Sequence, residues 1–250
     1  MFHNKLSFMK ETQEPKILVI PDVHGRTFWK EAIVKFPDLE TIFLGDYLDP
    51  YPDERITKYK AIENFKEILE FAKSNENWQL LLGNHDIDYI LEVEGSRKDS
   101  INGCYIRQLF LEAIDLFNFA TIREIDKKTY LFSHAPILKE WVEENKDSNN
   151  IEKIVDKLNL SLMNVKERRF SLLRYLYQIS NFRGGSHKWG SPIWSDVREL
   201  YENKGTFLSG IDYNVFGHTQ LSEAIIMQNY ACLDTKNAYI ITEKGEIESV

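Results

Sequence analysis

The chain has 250 residues, a formal net charge of −8, and 43% hydrophobic and 13% aromatic residues. This length and composition fit a globular protein with a sizeable core and exclude a disordered or low-complexity chain. The acidic balance excludes general binding to nucleic acid or anionic membrane, which needs a basic footprint.

Met1 to Lys16 is mixed polar, without the apolar stretch of a signal peptide. Ile17-Leu18-Val19-Ile20 is apolar and mostly β-branched, and predicts a buried strand. Pro21 ends its ladder for want of an N–H, and Gly25 permits a sharp turn. Between them stand Asp22 and His24. Such a corner is either an ordinary Asp-Gly turn or part of a divalent-metal site, because an oxygen and a nitrogen can aim at one point. Thr27 to Phe36 has helical spacing, with Thr27 as N-cap and Pro37 as stop. A second apolar run, Thr41-Ile42-Phe43-Leu44, leads into Gly45-Asp46-Tyr47-Leu48-Asp49. Pro50 and Pro52 mark a surface loop. Asp53 is the expected cap of a helix reaching about Ser74, with Ile62, Phe65, Ile68, Leu69 and Ala72 as its buried stripe. Trp78 to Leu82 predicts a third strand, followed by Gly83-Asn84-His85-Asp86. Strand–helix–strand–helix–strand predicts a parallel α/β unit with right-handed connections. Ligands of such sheets gather beyond the carboxyl ends of the strands, where Asp22, Asp46 and Asn84 fall.

A helix is expected from Ile101 to Phe117. A hairpin of Phe119–Ile125 and Thr129–Ser133 follows, turning at Asp126-Lys127-Lys128 and ending at His134. Residues 135–191 read as a mainly helical insertion, with Leu162, Val165, Leu172, Leu173, Leu176 and Ile179 at spacings of three, four and seven. Within it, Asn164 to Gly190 carries Lys166, Arg168, Arg169, Arg174, Arg183 and Lys188 against Glu167 alone. Arg183, next to Gly184 and Gly185, is the candidate for close approach to an anion. Lys166, Arg168 and Arg169 read as a solvated helix face. Strands return at Tyr213–Phe216, Glu223–Met227, Ala231–Asp234 and Ala238–Thr242, the first leading into Gly217-His218-Thr219. Cys104 and Cys232 match no metal or disulfide pattern and read as packed thiols in a reducing compartment. No run approaches the ~20 apolar residues of a membrane span. The expectation is one cytoplasmic domain over residues 1–250, with no membrane and no nucleic-acid partner.

The chain has six histidines. Only His3 and His187 lie outside the strand-end loops; His24, His85, His134 and His218 lie within them. Asp22-Val23-His24, Gly45-Asp46 with Asp49, Gly83-Asn84-His85-Asp86, His134 and Gly217-His218-Thr219 stand in the order of a known family. From Asp22 to Thr219 the chain resembles the calcineurin-like metallophosphoesterases, with a metal core of the phosphoprotein-phosphatase type. The resemblance implies an α/β fold of two facing mixed sheets flanked by helices, an αββα sandwich. It implies one divalent ion on Asp22, His24 and Asp46, and a second on Asp46, Asn84, His134 and His218, with Asp46 as the bridge. Asn84 would also touch substrate. Nitrogen and oxygen donors without thiolate suit two Mn ions best, with Fe or Zn as alternatives. Such ions, ~3.5–4 Å apart, clamp a phosphate and acidify a bound water.

His85 resembles the family's catalytic histidine, which protonates the leaving oxygen, and Asp49 would orient it. The implied activity is hydrolysis of a small phosphorylated substrate, a phosphomonoester or nucleotide-type phosphoester, by a metal-bound hydroxide. The rival readings are a protein serine/threonine or broad-specificity phosphatase, and an inactive metal-binding interaction module. Trp194-Ser195-Asp196 also resembles a segment of phosphoprotein-phosphatase-type members. Four departures bear on substrate rather than metal. Pro50-Tyr51 replaces the Arg-Gly of serine/threonine phosphatases, Asp86 their Glu, and Ala135-Pro136 their Gly-Gly. Gln220 stands where nuclease-like relatives have a histidine.

Overall fold

In the computed structural model, which describes residues 14–145, 150–166 and 175–250, the first strand is β1 (Pro15–Ile20). Its alternation sorts two cores: Leu18 and Ile20 pack with the helices, Ile17 and Val19 against a second sheet. The chain continues through α1 (Phe28–Lys35), β2 (Glu40–Phe43), α2 (Lys58–Ser74) and β3 (Trp78–Leu81). Then come α3 (Asn84–Ile90), α4 (Gly103–Glu112) and β4 (Phe117–Asn118). Strands β1 to β4 pair in parallel, as their crossover helices require. Next are β5 (Ala120–Ile125), β6 (Lys128–Ser133), α5 (Lys139–Glu144), α6 (Ile151–Lys166) and α7 (Arg198–Tyr201). The last strands are β7 (Tyr213–Phe216), β8 (Ile225–Ile226), β9 (Tyr230–Cys232), β10 (Tyr239–Thr242) and β11 (Ile247–Ser249).

Two mixed sheets result, ordered β11-β10-β1-β2-β3-β4 and β5-β6-β7-β9-β8. Ile42, Leu44 and Leu81 of the first meet Phe132, Val215, Ala231 and Leu233 of the second. On the outer side of the first sheet Trp29, Phe65, Ile68 and Phe110 cover Phe43 and Leu80. This is the two-sheet α/β architecture that the resemblance implies. No helix among the described residues is long and apolar enough to cross a membrane.

Several boundaries differ from the sequence-based expectation. Helix α2 begins only at Lys58, because Thr57 caps it by accepting from the Lys60 N–H (3.2 Å). Asp53 lies in a short 3-10 turn before it. The segment expected to be helical to Phe117 gives way after Glu112 to a 3-10 turn and β4. The hairpin turns on two residues, Asp126 (φ 47°) and Lys127 (φ 61°), both left-handed as a tight hairpin prefers. In the segment 135–191, α5 and α6 join the same apolar cluster as the first sheet, through Trp141, Ile154, Leu158 and Leu162. From Ile179 to Pro192 the described chain is turns, an isolated bridge of Ser180 to His187 and one 3-10 turn, Asn181–Arg183, where Gly184, Gly185, Gly190 and Pro192 break helical continuity. Glu167, Arg168, Arg169, Leu172, Leu173 and Arg174, and the side chain of Lys166, lie outside the described residues.

The functional loops are extensions of the β1–β2 ladder. Leu44 N–H donates to Ile20 O (2.8 Å), His24 N–H to Asp46 O (2.6 Å) and Gly25 N–H to Tyr47 O (2.9 Å). Asp86 closes the arrangement from α3. Its carboxylate accepts from the N–H groups of Gly83 (2.8 Å), Asp46 (2.8 Å) and Tyr47 (3.1 Å). Burial and the Asp46 charge push its pKa up, and the three N–H groups oppose that shift. Asp86→Ala orphans those donors at about 1–3 kcal/mol for each group left unmade. We therefore expect metal-free protein to lose about 3 kcal/mol or more in urea unfolding. A loss below about 1 kcal/mol would mean that water takes over the clamp.

Candidate active site

His24 (φ 46°), Asp46 (φ 54°), Asp49 (φ 62°) and His218 (φ 64°) all have left-handed backbones. A non-glycine residue there costs about 1–3 kcal/mol, although Asp and His tolerate it better than most. The conformation persists because the surrounding hydrogen bonds fix each turn. Gly217 N–H, for example, donates to His134 O (2.9 Å), tying together the two loops that carry His134 and His218.

Asp46 stands at the centre. Its Oδ1 accepts the His85 N–H (3.0 Å). Its Oδ2 lies 3.6 Å from Nε2 of His24 and 3.6 Å from Nε2 of His134. His24 Nδ1 donates to Leu48 O (2.9 Å) and His134 Nδ1 to Leu44 O (2.8 Å). A carbonyl can only accept, so each Nδ1 carries its proton and each Nε2 is left facing the site. His134 Nε2 also meets Asn84 Oδ1 (3.1 Å) and His218 Nδ1 (3.0 Å). Asp22 sits on the His218 side, accepting the His218 N–H at 3.0 and 3.2 Å. The close quarters require glycine at two places. A Cβ on Gly83 would stand 2.1 Å from Asp46 Oδ1, and one on Gly217 would stand 2.1 Å from Asp22 Oδ1.

Burial sets the charges. It holds the His24 pKa down at about 3, against the pull of Asp46, and His218 well below the usual imidazole value. Both rings are therefore neutral, the state a metal ligand needs. Burial also works to raise Asp46, but His134, His85 and His24 outweigh it and hold it at about 2. Asp22 is raised, chiefly by burial and by its neighbour Asp46.

This donor set fits divalent cations. Three-residue groups with ligand atoms within 4.8 Å of one another form at His24, Asp46 and His85, and at Asp46, His134 and His218. The buried Nε2 of His218 and both oxygens of buried Asp234 lack hydrogen-bond partners. His85 is the weaker ligand in the first group because both its ring nitrogens are engaged. Nδ1 meets Asp49 Oδ2 (2.8 Å) and Nε2 meets an Arg97 nitrogen (3.3 Å). Asp49 is held in turn by Tyr89 Oη on Oδ1 (2.5 Å) and by Lys58 at 3.5 Å. Burial opposes charge on His85, but Asp46 and Asp49 prevail and raise its pKa.

The structure thus gathers Asp22, His24, Asp46, Asp49, Asn84, His85, His134 and His218 around one place. Arg183 is nearby but committed to protein groups. One of its nitrogens donates to His218 O (2.9 Å) and Thr219 Oγ1 (2.8 Å), and Nε lies 2.7 Å from Asp196 Oδ2, off the hydrogen-bond axis. Asp196 belongs to Trp194-Ser195-Asp196, and Ser195 Oγ donates to Pro136 O (2.5 Å). This segment therefore braces the loops of both His134 and His218. Sequence reading missed Tyr51, Tyr89, Arg97 and Asp234. Tyr89 lies four residues after His85 on α3, and that spacing is a signal a helix assignment would have exposed. Arg97 lies in a polar loop with no periodicity and carried no signal.

The family model described as calcineurin-like phosphoesterase matches residues 15–221, and the chain belongs to that family. No curated protein matches it. Among solved structures, a cold-active protein tyrosine phosphatase is 17% identical, with 94% of this chain and 78% of that chain covered and a TM-score of 0.56. That likeness is one of fold. A hypothetical protein from Pyrococcus horikoshii OT3 (10% identity, 94% and 86% coverage, TM-score 0.43) and an archaeal phosphodiesterase (15%, 94% and 98%, 0.37) overlap more loosely.

The depressed His24 pKa has a measurable consequence. Unfolded imidazoles titrate near ~6.5, whereas folded His24 stays neutral down to about 3. As pH falls through that window only the unfolded chain takes up the proton, so His24 makes folding less favourable. The raised His85 and Asp22 act in the opposite direction, so the test is differential. In chelated protein, the stability advantage of wild type over His24→Asn should shrink as pH falls from about 7 to about 4. A pH-independent difference would show that His24 titrates as it does in water.

Proposed function

We propose that the chain is a metal-dependent phosphoesterase that hydrolyses a phosphomonoester or a small nucleotide-type phosphoester. The observation that carries this reading is Asp46 Oδ2, set 3.6 Å from the bare nitrogens of both His24 and His134. An oxygen so placed is suited to bridge two cations. Asp22, His24 and Asp46 would hold one ion, and Asp46, Asn84, His134 and His218 the other. Nitrogen and oxygen donors without thiolate favour Mn, with Fe or Zn as alternatives. Bound there, such ions supply charge neutralisation and an acidified water.

The protein supplies the rest. Asp49 holds Nδ1 of His85, which leaves Nε2 to give a proton to the leaving oxygen. Asp46 and Asp49 raise the His85 pKa and so favour its protonated form. Asn84 offers its amide beside His134, and Arg183 acts by fixing the His218 loop. The tyrosine phosphatase of similar fold makes phosphotyrosyl peptides a sensible addition to the substrate panel.

Hydrolysis of an aryl phosphate should vanish on chelation and return with Mn²⁺ or a similar ion. If metal-loaded protein is inert to monoesters and diesters alike, a metal-binding scaffold becomes the better reading.

His85→Asn should keep its metal content and lose about 10²–10⁴ in kcat on alkyl phosphates. Nitrophenyl phosphate should suffer much less, because nitrophenolate departs without a proton. Equal losses on both substrates would place the proton donor elsewhere, and loss of metal would make His85 a ligand.

A further inference from the structure

The Arg-Gly that serine/threonine phosphatases carry after the second Asp is Pro50-Tyr51 here, yet a guanidinium stands beside the catalytic candidates. Arg97 lies over the Tyr51 ring, with its Cζ 3.8 Å from the ring centroid. Its Nε donates to Asp49 O (3.0 Å), and its NH2 group is 3.3 Å from His85 Nε2. One nitrogen of that histidine lies within 4.8 Å of donor atoms of His24 and Asp46. Resting on the reading above, we propose that Arg97 binds a non-bridging oxygen of the substrate phosphate, selecting doubly charged phosphomonoesters over singly charged diesters.

The loop that carries Arg97 is built to hold it. Asp99 N–H donates to Tyr89 Oη (2.7 Å), and Lys98 Nζ to Asp88 O (2.9 Å). Lys58 Nζ donates to the Arg97 carbonyl. Gly95 packs so closely on Asp88 that a Cβ would stand 2.1 Å from its carboxylate. Stacking on Tyr51 fixes the guanidinium plane, so less freedom is lost when it grips an anion. Arg97 is only half-buried, and Tyr51 likewise, so solutes can reach them.

Arg97's existing contacts leave it a role to fill. A guanidinium only donates, so towards Arg97 the His85 Nε2 must accept. That is the nitrogen assigned to proton donation. A phosphate oxygen set between the two groups would accept from the Arg97 NH2 group in place of His85 Nε2 and release that nitrogen. A monoester brings one more charge and one more free oxygen than a diester, so a fixed extra cation favours it.

The test uses metal-loaded wild type, Arg97→Ala and Arg97→Lys, with folding and metal content checked first. Calorimetric titration with inorganic phosphate should show Arg97→Ala binding about tenfold or more weakly. Its kcat/KM should fall about 10²-fold on an alkyl or aryl monoester and much less on the matching diester. Arg97→Lys should recover part of both effects, since it keeps charge but not the fork. Unchanged phosphate affinity, or equal losses on monoester and diester, would overturn the proposal and leave Arg97 as a support for Asp49. Wild type that binds phosphate but turns over no ester would instead refute the proposed reaction, and the affinity difference would still assign the Arg97 contact.

Discussion

Every polar group of Asp46 is used to place it. Its N–H is held by Asp86, its carbonyl by His24, one carboxylate oxygen by His85 N–H, and the other faces two imidazoles. A buried carboxylate is costly unless it is paired. Here Asp46 Oδ2 faces Nε2 of His24 and of His134, whose rings direct Nδ1 at backbone carbonyls. The arrangement is electrostatically incomplete without cations, as the partnerless Nε2 of His218 and the partnerless Asp234 carboxylate also indicate. Metal binding and folding should therefore be coupled.

The rigidity needed for that placement comes from the sheets. Asp22 and His24 follow β1, Asp46 follows β2, Asn84 opens α3 beyond β3, His134 follows β6 and His218 follows β7. These strands belong to two sheets packed face to face, so the site forms where the carboxyl ends of both meet. Left-handed turns at His24, Asp46 and His218 bend the chain back towards that point. Their strain is sustained by backbone hydrogen bonds between loops, such as His24 N–H to Asp46 O and Gly217 N–H to His134 O, together with bonds within the loops.

The parts of this architecture legible in the sequence are those with local causes. Short, mainly apolar runs followed by Pro or Gly announced β1, β2, β3 and β7, and their polar successors fell together because parallel strands share an end. The hairpin of β5 and β6 was legible from Asp126-Lys127 for the same local reason. The start of α2 was misplaced because Asp53 and Thr57 are both good caps, and the 3-10 turn at Pro52–Glu54 chose between them. Helix α3 escaped notice because its residues are buried all round, so it has no amphipathic period. Arg183 read as an anion ligand from its glycine neighbours, but its hydrogen bonds depend on the distant His218 loop, which no local pattern encodes.

Candidate metal ligands and candidate substrate-binding residues are thus encoded differently. The first must be fixed to within tenths of an ångström, and strand ends backed by a hydrogen-bonded ladder do that. The second need only reach the rim, and a side chain as long as arginine can do so from several points of the chain. A guanidinium absent after Asp49 and present at Arg97 illustrates the difference. The loop at Arg97 is irregular, but Tyr89, Lys58 and Asp88 hold it through side-chain and carbonyl contacts. Tyr51, one residue beyond Pro50, is the surface on which Arg97 stacks. The candidate metal-ligand blocks thus resemble the phosphoprotein-phosphatase type, while the positions directly after Asp49 do not.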